Sequence, residues 1–433
     1  MKKIGIMTLG CRVNQYESDA VKEEFKKLGY EVGGIREGCD LYIVNTCTVT
    51  AESDAKCRKV IRRLARLRDA SGGSLVVMGC FSQGAPDSEV LSLADYVIGN
   101  GNKMSVVEKV EKILDKTEHG GVVSLAGAKY EKMQISRCAH AKAYVKIEDG
   151  CNNFCTYCFV PYVRGRVRSR DKDEIIEEIH RLEENGYTEI ILTGIETASY
   201  GEDRGESDAL CTLIEEISEK TSIKRLRLGS MYPSFFTPER CKRLASCSCV
   251  LPHFHLSVQS GATAVLARMR RGYTREDLYG AVENIRREFP AAALSCDMIC
   301  GFPGESDSDF EDSVNFIRDV KILHAHIFPY SKREGTKAVL LDGQLDEKIK
   351  HSRAAQMIRE AEKVSHEVLS QYHGKRVHVL VEKIKNGVAY GYSEHFIYQA
   401  FENKMNAKVG DVVEIIFDKD YAFLIEDTES SQN

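Results

Sequence analysis

Residues 144–158 read YVKIEDGCNNFCTYC, and this stretch decides the fold. Tyr144–Ile147 is a short β-branched and aromatic run that predicts a strand. Directly after it come Cys151, Cys155 and Cys158, spaced C-x3-C-x2-C. Three thiolates from one short loop can wrap a single four-iron cube, leaving one iron open to a small molecule. A zinc site is the competing reading, but it wants a fourth nearby ligand. His140 lies upstream and His180 far along a predicted helix, so neither suits.

Working outward, a strand that opens a ligand loop predicts a series of βα units. Further strands are expected at Glu189–Thr193, Arg225–Leu228, Phe254–Val258, Leu294–Ile299 and Ala325–Phe328. Helical stretches fall between them at 171–185, 207–219, 275–288 and 307–320. Six parallel strands with crossover helices predict a partial (β/α)6 barrel with its chemistry at the strand C-termini. Ser352–Ser370 is one long helical stretch. Upstream, residues 1–115 alternate strands (Lys3–Leu9, Leu41–Thr46, Ser74–Gly79, Tyr96–Ile98) with helices (Ser18–Leu28, Ala51–Leu67, Ser105–Leu114), which predicts a doubly wound parallel sheet. Residues 116–142, with Gly120, Gly121 and Gly127, read as a linker. Val377–Val381, Val388–Tyr392, Phe396–Phe401, Val412–Phe417 and Tyr421–Ile425 predict a small all-β barrel over 371–430. The fold class is α/β with this β appendage, in domains 1–115, 143–370 and 371–430.

A second cysteine set emerges from the N-terminal series. Cys11, Cys47 and Cys80 each follow one of the first three strands, in TLGC, VNTC and VMGC. Strands of a parallel sheet end on one edge, so these three should meet there. Helix N-termini at that edge favour thiolates. The set can hold a second cluster, again with one open iron. Cys39, Cys57, Cys138, Cys211, Cys241, Cys247, Cys249, Cys296 and Cys300 show no comparable pattern and read as incidental thiols.

The 151–158 motif, with Tyr157 just before its last cysteine, resembles the radical S-adenosylmethionine superfamily. That resemblance implies a 4Fe-4S cluster whose open iron holds S-adenosylmethionine, whose reductive cleavage gives a 5′-deoxyadenosyl radical. It also implies cofactor contacts at strand ends: Tyr157, Thr193, Gly194, Ser257, Gln259, Asp297, Gly301, Pro303 and Phe328. With the N-terminal cysteines and the C-terminal barrel added, nearly the whole chain is similar to the methylthiotransferases, which join a three-cysteine domain, a radical barrel and a TRAM domain. This implies two 4Fe-4S clusters, sulfur delivered from the second, and S-adenosylmethionine as both radical source and methyl donor. TLGCRVNQYES (8–18), VIGN (97–100), LTGIETASYG (192–201) and FPYSKREGT (328–336) look like the branch acting on N6-threonylcarbamoyladenosine in tRNA, although GSMYPSFF (229–236) and DMICGFPGES (297–306) depart from it. The neighbouring branches act on isopentenyl-adenosine in tRNA and on a ribosomal-protein aspartate. A non-catalytic iron–sulfur sensor that binds RNA is the reading from another class, and has no need of the strand-end cofactor motifs. The implied partners are tRNA and an electron donor such as flavodoxin or ferredoxin; the sulfur source is open.

RNA contacts are expected from Arg164, Arg166, Arg168 and Arg170, which would share one side of an extended segment, with a solvated edge or structural ion pairs to the acidic residues that follow as the competing reading. The basic helix residues Lys56, Arg58, Lys59, Arg62, Arg63, Arg66 and Arg68 offer another contact. From Tyr372 to Gly410 six basic residues, among them Lys375, Arg376, Lys383 and Lys385, face three acidic ones, a net +3 against -5 for the chain. Tyr372, Tyr390, Tyr392, Phe396 and Tyr398 are interleaved and could stack on bases or fill the barrel core.

The chain's 433 residues, 43% hydrophobic and 29% charged, exclude disorder as the main state. Fifteen cysteines in so long a chain exclude a disulfide scaffold. No run of 18 apolar residues occurs, so no membrane helix is expected. Met1–Thr8 reads as a buried strand rather than a signal peptide, which points to a reducing, cytoplasmic setting.

Overall fold

The computed structural model describes residues 1–125 and 128–423. Gly127 and the acidic tail from residue 424 lie outside the described residues. Of the strand expected at Tyr421–Ile425, only Ala422–Phe423 is described.

The N-terminal sheet has six parallel strands in the order Glu31–Gly33, Lys3–Thr8, Leu41–Thr46, Ser74–Gly79, Tyr96–Ile98, Gly120–Val122. Side chains alternate between its two faces. Tyr42, Val44, Leu75 and Val77 pack with Ile61 and Leu64 on one face. Ile4, Ile6, Ile43, Val76 and Met78 pack with Val21 and Phe25 on the other. Burial on both faces is why these strands read as apolar runs. The segment expected to be a plain linker contributes the last strand, and Met133 and Ile135 join the barrel core. Gly121, which signalled a linker, is what allows the pairing: a Cβ there would fall 1.7 Å from the Val97 carbonyl oxygen.

The central strands Ala143–Lys146, Glu189–Thr193, Arg225–Leu228, His253–Gln259, Ala293–Cys300 and His324–Pro329 run parallel. They form two sheets bridged by Leu226 and Val250, a partial barrel. Helix Glu347–Tyr372 lies along it and buries Ala354, Met357, Ala361 and Val364 in the same core. Among the described residues no helix is long and apolar enough to cross a membrane.

Residues from Arg376 onward form a five-stranded antiparallel sheet in the order Val412–Ile416, Arg376–Lys385, Val388–Tyr392, Tyr398–Glu402, Ala422–Phe423. Val377, Val379, Ile397 and Phe417 belong to the barrel's own core cluster, so this sheet is fused to the barrel. The fully buried Glu189 accepts from Arg225 Nε and Arg227 Nε, both at 2.7 Å. These guanidinium groups then donate to the carbonyls of His378 (3.1 Å), Ser393 (2.5 Å) and Glu394 (3.0 Å) in the C-terminal sheet. Phe396 stacks on His253 and Tyr392, with ring centres 4.8 and 4.5 Å apart. Tyr392, Phe396 and Tyr398 are thus occupied inside the protein, as core rather than as stacking platforms for bases. Replacing Glu189 with Ala strands two buried cations, which should cost about 3–5 kcal/mol. A lowered urea midpoint, with faster proteolysis near exposed Gly374, checks this.

Candidate functional site

The 151–158 loop is held open by backbone geometry. Gly150 (φ 87°) and Phe154 (φ 46°) take left-handed conformations. The Cys151 N–H donates to Gly165 O at 3.1 Å, and Thr156 donates through N–H and hydroxyl to Met269 O and Arg268 O at 3.0 and 2.9 Å. Arg271 Nη1 lies 3.3 Å from Cys155 Sγ, its guanidinium 3.9 Å from the centre of the Tyr232 ring. Burial, and the neighbouring thiols, push Cys151 and Cys158 up to about 12. Thiols so crowded stay protonated until a cation draws off the protons, as a metal site requires. All three are free. The donor set fits an iron–sulfur cube, which Cys151, Cys155 and Cys158 would hold.

Cys11, Cys47 and Cys80 gather at the C-terminal edge of the N-terminal sheet. Cys11 caps helix Arg12–Lys27, and Cys80 opens helix Cys80–Gly84. A Cβ on Gly10 would fall 2.6 Å from Cys47 Cβ, so only glycine lets the first turn approach the second. Burial, then Cys80 and to a lesser degree Cys11, push the Cys47 thiol up to about 11. Asn100 Nδ2 reaches Cys80 Sγ at 3.4 Å. This set also fits a cluster. Eight of the other nine cysteines are buried and Cys138 is half-buried.

The arginine row is not a row. Val160–Arg164 forms a helical turn and Gly165 (φ 80°) reverses direction, so the two-residue period does not run through it. Arg164 and Arg170 are each 1% exposed and cannot meet a phosphate. Arg164 donates to Glu17 (2.9 Å), Asp149 (3.0 Å) and Asn14 (2.5 Å). Arg170 pairs with Glu178. Arg168 is half-buried, 3.5 Å from Asp149. Arg166 alone is exposed, lying over the Phe154 ring. Lys103 and Lys146 also pair with Glu17, and Lys146 with Asp149. Burial opposes the Arg164 charge, but Glu17 and Asp149, and to a lesser degree Cys80 and Cys11, outweigh it and hold the guanidinium charged. Sequence reasoning missed this network; its signal was the charge inside otherwise buried spans, as in Lys146, Glu148 and Asp149.

Thr193, Gly194, Ser257, Gln259, Asp297 and Phe328 all sit at or near the C-terminal ends of barrel strands, the end that also bears the 151–158 loop. Tyr157 packs edge-on against Phe302. Gln259 is left-handed (φ 71°) at a bulge. Asp297 pairs with His255 at 3.2 Å, and Phe328 is 52% exposed. Gly301 and Pro303 are engaged by the chain itself: a Cβ on Gly301 would meet Lys350, and Pro303 O accepts from Arg268. Gly194 faces the Glu148 carboxylate. Three groups here were not anticipated: Arg271, Tyr232 and Glu196. Burial pushes Glu196 up to about 7, although it accepts from the Tyr232 N–H at 2.8 Å. A cavity of about 730 Å³ beside the loop is lined by Asn152, Asn153, Tyr232, Glu202, Arg240 and Arg270. Lys375, Arg376, Lys383 and Lys385 are exposed, with Arg376 paired to Glu414. Lys56, Lys59, Arg62, Arg63 and Arg66 are exposed along helix Ala51–Ser71. Because Glu17 is the anion for three buried cations, Glu17→Gln should destabilise the protein by about 3–5 kcal/mol, read as a fall in the denaturation midpoint.

The Radical SAM superfamily pattern matches residues 145–317, and that of the uncharacterized protein family UPF0004 matches residues 3–99. The chain is 34% identical over 425 residues to the threonylcarbamoyladenosine tRNA methylthiotransferase MtaB of Bacillus subtilis, covering 96% of this chain and 93% of the relative. It is 36% identical to the Aquifex aeolicus protein of the same name (88% and 92% covered). It is 35% identical to the tRNA-2-methylthio-N(6)-dimethylallyladenosine synthase of Clostridium novyi (88% and 86%). In fold it is similar to the radical S-adenosylmethionine methyltransferase TsrM of Kitasatospora setae, with TM-score 0.57 at 15% identity over 90% of this chain and 77% of that one. By these relatives and by its two sets of three cysteines, the chain belongs to the radical S-adenosylmethionine methylthiotransferases.

Proposed function

We propose that this enzyme methylthiolates C2 of N6-threonylcarbamoyladenosine beside the anticodon of tRNA, in the cytoplasm, using two 4Fe-4S clusters and S-adenosylmethionine. The observation that carries the reading is the pairing of two three-thiol sites, one on the barrel and one on the sheet edge, with buried Arg164 bonded both to Glu17 on the helix after Cys11 and to Asp149 just before Cys151. One site suits C–H activation, the other sulfur delivery. When bound, the cluster at Cys151, Cys155 and Cys158 with S-adenosylmethionine supplies the hydrogen-abstracting radical, and the cluster at Cys11, Cys47 and Cys80 supplies sulfur. The chain's own part is positioning and exclusion of water. Arg271 sets Cys155 and, with Tyr157, walls the radical site; Thr193, Gly194, Ser257, Gln259 and Asp297 supply the strand-end rim for the cofactor, to which Phe328 adds an apolar edge. Gly301 and Pro303 support that rim from below. A flavodoxin or ferredoxin supplies the electron.

Relatives named for threonylcarbamoyladenosine and for dimethylallyladenosine match at nearly the same identity. The substrate reading therefore leans on the local motifs at 8–18 and 192–201. Exposed Lys375, Arg376, Lys383, Lys385 and Arg166, with the basic helix face at 56–66, supply phosphate contacts, so binding should weaken steeply with salt.

Nucleoside mass analysis of tRNA from cells with and without the gene should show loss of 2-methylthio-N6-threonylcarbamoyladenosine. Loss of the dimethylallyl derivative instead would move the enzyme to that branch. Changing Cys151, Cys155 and Cys158 together to Ala should halve the bound iron and abolish 5′-deoxyadenosine formation. Iron falling to zero, or unchanged, would refute two independent clusters.

A further inference from the structure

Three cations surround the Phe396 ring: Arg227 at 4.9 Å, Lys142 at 5.2 Å and Arg12 at 5.8 Å from its centre. Arg227 has Glu189 as partner and Lys142 has Glu382. Among the described residues Arg12 has no ion pair and no hydrogen bond. It is nonetheless held: its guanidinium also lies 5.7 Å from the centre of the Tyr144 ring. Arg12 is exposed, so the face it presents is open to a ligand.

Its position runs against local physics. Arg12 is the first residue of helix Arg12–Lys27, where the macrodipole already disfavours a cation, and that first turn has no acidic residue. Asp297, a carboxylate on the barrel wall, is taken by His255 at 3.2 Å. Burial raises the Asp297 carboxyl, but His255, then His326 and Arg12, hold it below its ordinary range. Arg12 adjoins Cys11 and faces barrel residues on strands Ala143–Lys146 and His253–Gln259. Arg12 thus lies between the Cys11 site and the strand that leads into the 151–158 loop, with its charge felt at Asp297 on the barrel wall.

We propose that Arg12 is a substrate-specificity residue that binds the carboxylate of the N6-threonylcarbamoyl group. The inference rests on the substrate reading above. In that nucleoside C2 and C6, which bears N6, flank the same ring nitrogen, so a carboxylate carried on N6 lies beside the edge to be modified. A guanidinium held between two rings suits a planar carboxylate. The dimethylallyl group, neutral and apolar, has no use for it.

The test uses reconstituted holoenzyme and anticodon stem-loop RNAs carrying either N6-threonylcarbamoyladenosine or its carboxyl methyl ester. Wild type should bind the acid roughly tenfold or more tightly than the ester. Arg12→Gln should bring the two within about twofold, and Arg12→Lys should keep an intermediate preference. Equal binding of acid and ester by wild type overturns the proposal, and that arm needs no variant to fold. So does equal weakening of both RNAs by Arg12→Gln, the pattern of a phosphate contact or a structural role. Failure of wild type to convert the acid stem-loop to its 2-methylthio product is read separately by mass and faults the substrate reading itself.

Discussion

The Arg164 guanidinium, 1% exposed, sits between Glu17 of the N-terminal domain and Asp149 of the barrel. Lys103 and Lys146 close the network. A buried cation is tolerated only when its charge and hydrogen bonds are met, so these five residues must be in register at once. They come from the helix after Cys11, the helix after the radical loop, the strand before that loop, and the loop after strand Tyr96–Ile98. Whatever moves one cysteine edge relative to the other breaks this network first. Two three-thiol sites on separate domains are thereby fixed against each other.

At the opposite end of the barrel, Glu189, Arg225 and Arg227 play a comparable part. The two arginines satisfy carbonyls at the ends of C-terminal strands, and Phe396 enters among their side chains. The C-terminal sheet therefore closes the barrel from below while leaving Lys383 and Lys385 in solvent. Its aromatic residues serve that closure, which separates their role from that of the exposed lysines.

Much of this was legible in the residues. C-x3-C-x2-C after a strand marked the loop proposed to hold the radical cluster, and three cysteines after three strands marked residues that the fold carries to one edge of the N-terminal sheet. Helix 275–288 was read to the residue, because Thr274 and Asp277 form a capping box ahead of an apolar period. Gly121 misled for a physical reason: glycine signals a turn by default, yet here its missing Cβ admits a strand. Arg164 and Arg170 misled because alternation along a sequence says nothing about side once a glycine reverses the chain. Arg271, Tyr232 and Glu196 gave no local signal, since each acts across distances in sequence that only folding removes.

The sequence by itself determined the architecture and the class of chemistry, because strand and helix periods and motif spacing are local properties. The tertiary structure alone decided which charges are buried hinges and which are free contacts. It made Arg164 a tie between domains, Arg227 a plug for the barrel and Arg12 a cation that, among the described residues, has rings but no ion pair as partners. The reason is that a charge takes its role from its partners, and these partners lie far along the chain, as Phe396 does from Arg12 and Glu394 from Arg227.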